Sequence, residues 1–156
     1  MFKVDIPGYG TLKLEHLVLD YNGTLAVDGI LVDGVAERLL ALADRFDIHV
    51  VTADTFGKAR ENLEGLPCEL ILLEPGGQDE AKGEFVKGLG SGSTAAIGNG
   101  CNDHLMLEES ALGIAVVLAE GASSRTVLAA DVVCRSITSA LDLLSNPKRL
   151  TATLRR

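Results

Sequence analysis

The chain has 156 residues, 47% of them hydrophobic, and a formal net charge of −8. That length and apolar content suit one domain over 1–156 with a sizeable core, and the acidic balance argues against nucleic acid, whose binding needs lysine and arginine to neutralise phosphates. No apolar run approaches the roughly 18 to 20 residues of a membrane span, and the start MFKVDIPGYG lacks the regions of a signal peptide, so a cytoplasmic protein with no membrane partner is expected.

Phe2 to Ile6 and Thr11 to Glu15 alternate apolar and polar residues around Pro7-Gly8-Tyr9-Gly10, which predicts a β-hairpin within residues 1–16 at the edge of a sheet. Leu17 to Leu19 follows as a short buried strand. Asp28-Gly29 marks a turn, after which Asp33 is placed to cap a helix through Leu39, Leu40 and Leu42. Ile48 to Thr52 reads as a β-branched strand, Thr55 to about Glu64 as a helix stopped by Gly65, and Glu69 to Leu73 as a strand. Gly76-Gly77 opens a helix carrying Lys82, Phe85, Val86 and Leu89 and ending at Gly90. Thr94 to Ile97 is a strand that runs into the turn Gly98 to Asp103, and a helix continues from His104 to about Ala111. A strand at Gly113 to Val117, a helix at Ser123 to Ala129, a strand at Val132 to Cys134 and a Ser136-capped helix follow. Pro147 opens a last short helix within the basic segment 146–156, which holds Lys148, Arg149, Arg155 and Arg156. Strands and helices alternating at this spacing predict an α/β fold with a mostly parallel central sheet and helices on both faces. Cys68, Cys101 and Cys134 fit neither a disulfide framework nor a zinc pattern, and are expected to be reduced, small core residues.

Four places could carry chemistry. Asp20 ends the Leu17 strand, ahead of Tyr21-Asn22-Gly23-Thr24. A carboxylate on a rigid strand end, with amides of the next turn pointing back at it, suits attack on phosphorus; an aspartate that only caps its turn is the alternative. Thr52 ends the next strand, where a hydroxyl could bind a phosphate oxygen, although a β-branched residue belongs in a strand in any case. Lys82 lies about a turn inside its helix and could bring an ammonium to the same edge; Lys87 competes for that role. Glycines flanking Asn99 allow close backbone approach, and Asp103 offers a hard oxygen of the kind magnesium prefers, or else a helix cap.

In this order, Asp20-Tyr21-Asn22-Gly23-Thr24, Thr52, Lys82 and Gly98-Asn99-Gly100-Cys101-Asn102-Asp103 resemble the four motifs of the haloacid dehalogenase superfamily. Within it, the stretches from Asp79 to Leu89, from Gly98 to Leu107 and Gly113-Ile114-Ala115-Val116 are most similar to the phosphorylation domain of P-type ATPases and its small soluble relatives. The resemblance covers residues 16 to 145. It implies a three-layer Rossmann-like fold and an aspartyl phosphate formed on Asp20. It also implies phosphoryl binding by Thr52, with Gly23, Thr24, Ala53 and Asn102 around the substrate, and neutralisation by Lys82. Magnesium would bridge Asp20, the backbone carbonyl of Asn22, and the loop carrying Asn99 and Asp103. A carboxylate and a phosphate repel each other, so such an attack needs a metal and a lysine to screen both.

Two residues depart from the family pattern. Asn22 stands where phosphatases of the family have a second aspartate acting as general acid and base, and an amide transfers no proton in this way. The pumps have threonine there, so phosphorylation of Asp20 is compatible with slowed hydrolysis. Asn99 replaces an aspartate that coordinates the metal directly. Only about 30 residues separate Asp20 from Thr52, and no insertion follows Thr52, so no cap domain is expected. An open site needs a large substrate or neighbouring subunits to exclude water, which predicts a homo-oligomer with the amino-terminal hairpin as its interface. The reading that follows is a slow magnesium-dependent phosphohydrolase acting on a small phosphorylated substrate. The alternatives are a catalytically impaired regulatory or phospho-ligand-binding module, and a pump-like domain that takes phosphate from a partner.

Overall fold

Alternation of apolar and polar residues builds the first ribbon, in which β1 (Phe2–Ile6) pairs antiparallel with β2 (Gly10–Leu14). The computed structural model describes residues 1–54 and 57–156. The ribbon is a separate two-stranded sheet rather than the edge of the main one, which corrects the expectation from sequence. Its inward residues Phe2, Val4, Ile6, Leu12 and Leu14 are buried in the larger of two core clusters. Phe2 stacks on Phe46 with ring centroids 5.9 Å apart, and the Arg156 amide donates to the Pro7 carbonyl at 3.0 Å. The apolar face of the expected interface is thus covered within the chain, and the charged Lys3, Asp5 and Lys13 face outward. Alternation tells which face of a ribbon is apolar; it does not tell what covers that face.

From there strands and helices alternate: β3 (His16–Leu19), the small hairpin β4 (Ala26–Val27) and β5 (Ile30–Leu31), α1 (Val35–Leu42), β6 (Asp47–Thr52), α2 (Ala59–Asn62), β7 (Glu69–Leu72) and α3 (Gln78–Leu89). Next come β8 (Thr94–Gly98), a 3₁₀ turn at Cys101–Asp103, α4 (His104–Glu109), β9 (Leu112–Val116), α5 (Ser124–Ala129), β10 (Val132–Cys134), α6 (Ile137–Ser145) and α7 (Pro147–Leu154). Two boundaries differ from the sequence reading. The N-cap of α1 is Gly34, at φ 85°, with no side-chain cap, so Asp33 does not serve as one. The helix placed from Thr55 to Glu64 is the single turn α2, and Thr55 lies outside the described residues. Ser136 caps α6 as its sequence suggests, accepting from the Ser139 amide at 3.0 Å.

The six main strands are all parallel, in the order β10-β9-β8-β3-β6-β7. Side-chain alternation along β3 serves two cores. Leu17 and Leu19 face the larger cluster, with the ribbon, α1, α6 and α7. Val18 faces a second cluster with Val86 of α3, and Met106 and Leu107 of α4. Arg38 of α1 holds Asp142 of α6 through two hydrogen bonds of 2.8 and 3.1 Å, fixing the first layer. The chain moves outward from β3 to β6 and β7, then crosses back through α3 to β8 on the other side of β3. Open α/β sheets bind ligands at such a reversal, outside the carboxyl ends of the strands.

Candidate active site

Asp20 directly follows β3, and its amide donates to the Ile97 carbonyl of β8 at 3.0 Å, so the sheet continues into the residue. Thr52 is the last residue of β6 and Gly98 the last of β8. The two strands flank β3, and the reversal point thereby collects a carboxylate, a hydroxyl and a glycine turn.

Lys82 reaches this edge from α3 and is fully buried. Its Nζ donates to Asp20 Oδ1 at 2.7 Å and to Asp103 Oδ1 at 2.6 Å. A buried ammonium is tolerated only when paired, and here two carboxylates share it. The other oxygen of Asp103 accepts from the amides of Asn99 and Gly100 at 2.9 and 2.8 Å. Asp103 is 0% exposed and is held on both oxygens. It anchors Lys82 and the glycine turn. Gly98 permits the closeness, because a Cβ there would lie 2.6 Å from the Asp103 carboxyl carbon. Lys87, the competing lysine, points away and pairs with Glu84 at 2.8 Å.

The turn after Asp20 is closed by its own backbone. The Gly23 amide donates to the Ala26 carbonyl at 2.7 Å, and those of Thr24 and Leu25 to the Tyr21 carbonyl at 3.2 and 2.9 Å. The amides of Gly23 and Thr24 are therefore committed within the turn. Gly23 serves through its conformation: at φ 79° it occupies the left-handed region that a side chain disfavours. Thr24 serves through its hydroxyl, which faces both Asp20 Oδ2 at 3.1 Å and Asn99 Oδ1 at 3.2 Å. One hydroxyl hydrogen cannot fully satisfy two acceptors. Asn22 Oδ1 is buried and has no partner among the described residues. The site thus holds more acceptor oxygens than donors.

Over these groups opens a cavity of about 290 Å³ lined by Asp20, Asn22, Thr52, Ala53, Asn99, Gly100, Asn102 and Glu120. Thr52 Oγ1 accepts from the Asp54 amide at 3.0 Å, which leaves its hydrogen free to donate. Asn102 is oriented by donating to Gln78 Oε1 at 3.0 Å. Beneath the turn, the Tyr21 hydroxyl accepts from Asn62 Nδ2 at 2.6 Å. Gln78, Asn62 and Glu120 carry no spacing signal that sequence reasoning could have used, since each is placed by tertiary packing alone. Cys101 is exposed, and Cys68 and Cys134 are only partly buried, contrary to the expectation of three core cysteines.

Burial pushes the Asp20 carboxyl up to about 6, helped by the negative charge of Asp103; Lys82 and Thr24 pull in the opposite direction. Lys82 itself is raised, because the two carboxylates outweigh its loss of hydration. The described residues around the cavity offer oxygen ligands and no sulfur or imidazole: the Asp20 carboxylate, the carbonyl oxygens of Asn22 and Asn99, and the Glu120 carboxylate. A hard cation such as magnesium takes one or two carboxylates plus neutral oxygens and water. Asn22 Oδ1 without a partner among the described residues, and Asp20 Oδ2 and Asn99 Oδ1 sharing one hydroxyl, make an acceptor-rich edge that fits that requirement.

No protein-family model matches the chain. Two curated proteins of Methanocaldococcus jannaschii are similar in sequence. Uncharacterized protein MJ0073 is 55% identical over 60 residues, which span 38% of this chain and 64% of that one. Uncharacterized protein MJ0072 is 49% identical over 39 residues, 25% of this chain and 89% of that one. Among solved structures, the cobalt-bound deoxy-D-mannose-octulosonate 8-phosphate phosphatase of Haemophilus influenzae superposes with a TM-score of 0.70 at 15% identity, over 92% of this chain and 94% of that one. The corresponding phosphatase of Moraxella catarrhalis, in complex with magnesium, phosphate and KDO, gives 0.64 at 17% identity over 91% and 94%. A phosphoserine phosphatase in apo form gives 0.68 at 15% identity over 86% and 99%. The chain belongs to the same sequence family as MJ0072, and it shares the fold of these phosphatases and of structures described as haloacid dehalogenase family hydrolases.

Proposed function

We propose that the protein is a slow, magnesium-dependent phosphohydrolase that works through an aspartyl phosphate on Asp20. The observation that carries this reading is the fully buried Lys82 bridging Asp20 and Asp103 under an oxygen-lined cavity. In the first step a carboxylate oxygen of Asp20 attacks phosphorus, and the bond to the leaving oxygen breaks. In the second, water attacks the same phosphorus, releasing inorganic phosphate and restoring the carboxylate. Lys82 neutralises the nucleophile as the phosphoryl group approaches. Thr52, Ala53 and Asn102 surround that group, the Thr52 hydroxyl donating to one of its oxygens. Asp20, Asn99 and the Asn22 carbonyl would hold the magnesium ion, whose charge screens phosphate from carboxylate.

Asn22 transfers no proton, so the leaving oxygen takes its proton from solvent and the second water is not activated, which makes the reaction slow. The neighbouring phosphatases support a small phosphorylated substrate. Among the described residues nothing folds over the cavity, so substrate selection falls to the substrate itself or to a neighbouring copy. A second reading, a phospho-ligand-binding module without turnover, is favoured by the unpartnered Asn22 Oδ1, an acceptor where catalysis needs an acid.

Hydrolysis of p-nitrophenyl phosphate separates the two. Metal-dependent release of nitrophenol is expected, falling to background in Asp20→Ala; activity retained in that variant would remove Asp20 from the mechanism. Because the Asp20 carboxyl is raised to about 6, it is protonated and unreactive below that pH. At limiting magnesium the rate should therefore climb as pH rises through about 6, and this limb should move to lower pH at saturating metal, which favours the ionised form. A binding module shows no metal-dependent release at any pH.

A further inference from the structure

We infer that Glu120 is a metal-binding carboxylate of this site, restoring from another loop the charge lost at Asn99; this rests on the magnesium-dependent reading above. Glu120 lies between β9 and α5, in a turn closed by the Gly121 amide on the Leu118 carbonyl at 3.0 Å. Asn99 clamps that turn on both sides. Its Nδ2 donates to the Gly121 carbonyl at 3.0 Å, and its carbonyl accepts from the Ser123 amide at 2.8 Å. An aspartate at 99 would set a carboxylate oxygen against the Gly121 carbonyl and lose that bond. The amide thus holds in place the loop that brings a carboxylate to the cavity.

The exposed side chain reaches the rim of the cavity beside Gly23. A Cβ built on Gly23 would lie 2.7 Å from Glu120 Oε2 and closer still to the Asn99 amide, so the absent side chain at 23 leaves the room they occupy. Glu120 lines the same cavity as Asp20, Asn22 and Asn99, and makes no hydrogen bond or ion pair among the described residues. Asp20, Asp103 and Lys82 together carry one negative charge, and Glu120 raises this to two, the amount a divalent cation neutralises. Without a cation the added carboxylate only repels Asp20.

Titration of the full-length protein with magnesium, and with manganese as a spectroscopic probe, tests this without reference to turnover. Glu120→Gln should raise the Kd for both metals on the order of tenfold or more, with thermal unfolding unchanged because the side chain is exposed. Glu108→Gln, which removes one exposed charge away from the cavity, should leave the Kd at the wild-type value. Equal affinity in Glu120→Gln and wild type would overturn the assignment while leaving the phosphohydrolase reading in place. A Glu108→Gln loss as large as that of Glu120→Gln would reduce the effect to general charge and overturn it too. Wild-type protein that binds neither metal would overturn both.

Discussion

Lys82→Met is expected to destabilise the protein by about 3–5 kcal/mol and to remove all metal-dependent hydrolysis. Methionine fills much of the same volume, so the loss comes from charge rather than from a cavity. The substitution leaves Asp20 and Asp103 facing each other in a buried site, each without the ammonium that now lies 2.7 and 2.6 Å away. Removing one partner of a buried ion pair costs this much because the remaining charge has neither water nor a counter-ion. The sign of the pH dependence follows. Uncompensated buried carboxylates bind protons more tightly in the folded state than in the unfolded one, so the folded form gains as pH falls and protonation neutralises them. Urea unfolding of Lys82→Met and wild type at neutral and mildly acidic pH measures both effects. The difference between the proteins should shrink toward acid, and a difference below about 1 kcal/mol at neutral pH, within the range of exposed ion pairs, would contradict the structural role of the triad.

Asn22→Asp is expected to raise the rate of hydrolysis by a factor of about 10² to 10⁴, the usual contribution of a positioned general acid and base. Asn22 lines the cavity beside Asp20, so a carboxyl there stands over the same substrate. The amide and the carboxyl are nearly the same size. The present Oδ1 has no hydrogen-bond partner among the described residues, so the exchange breaks no bond to that atom. Both half-reactions should gain, since the new carboxyl protonates the leaving oxygen and then takes a proton from the attacking water. Steady-state kinetics at saturating magnesium measures this. A higher kcat at similar KM is the expected pattern; an unchanged kcat would place the limit elsewhere, at Asn99 or in the open cavity.

The architecture was legible because short, β-branched apolar runs such as Leu17 to Leu19 and Ile48 to Thr52, bounded by Gly and Pro turns and alternating with helical segments, fit buried parallel strands. Placing Asp20, Thr52 and the Gly98 turn at strand ends was enough to put them on one edge. Residue type and helix position alone left Lys82 and Lys87 open, and only the family resemblance chose Lys82; packing of α3 against α4 is what buries it. Asp103 shows the same limit: its residue type suits a metal, and only the structure reveals that Lys82 and two amides already occupy its oxygens. In the turn after Asp20 a sequence does not say which carbonyl each amide will meet, and those of Gly23 and Thr24 close the turn itself. Glu120 was invisible, standing 100 residues from Asp20 in a loop without a motif.

Chemical trapping of the intermediate tests the central claim most directly. Asp20 is proposed to carry the phosphoryl group, and Asn22 to slow its removal, so the phosphorylated protein should accumulate during turnover. Protein mixed with p-nitrophenyl phosphate and magnesium, quenched in acid and digested, should show by mass spectrometry one added phosphoryl group on the peptide containing Asp20. Asn22→Asp should lower its occupancy by speeding its hydrolysis. Metal-dependent hydrolysis with no phosphoryl group on that peptide, or with one attached to another residue, would contradict the account.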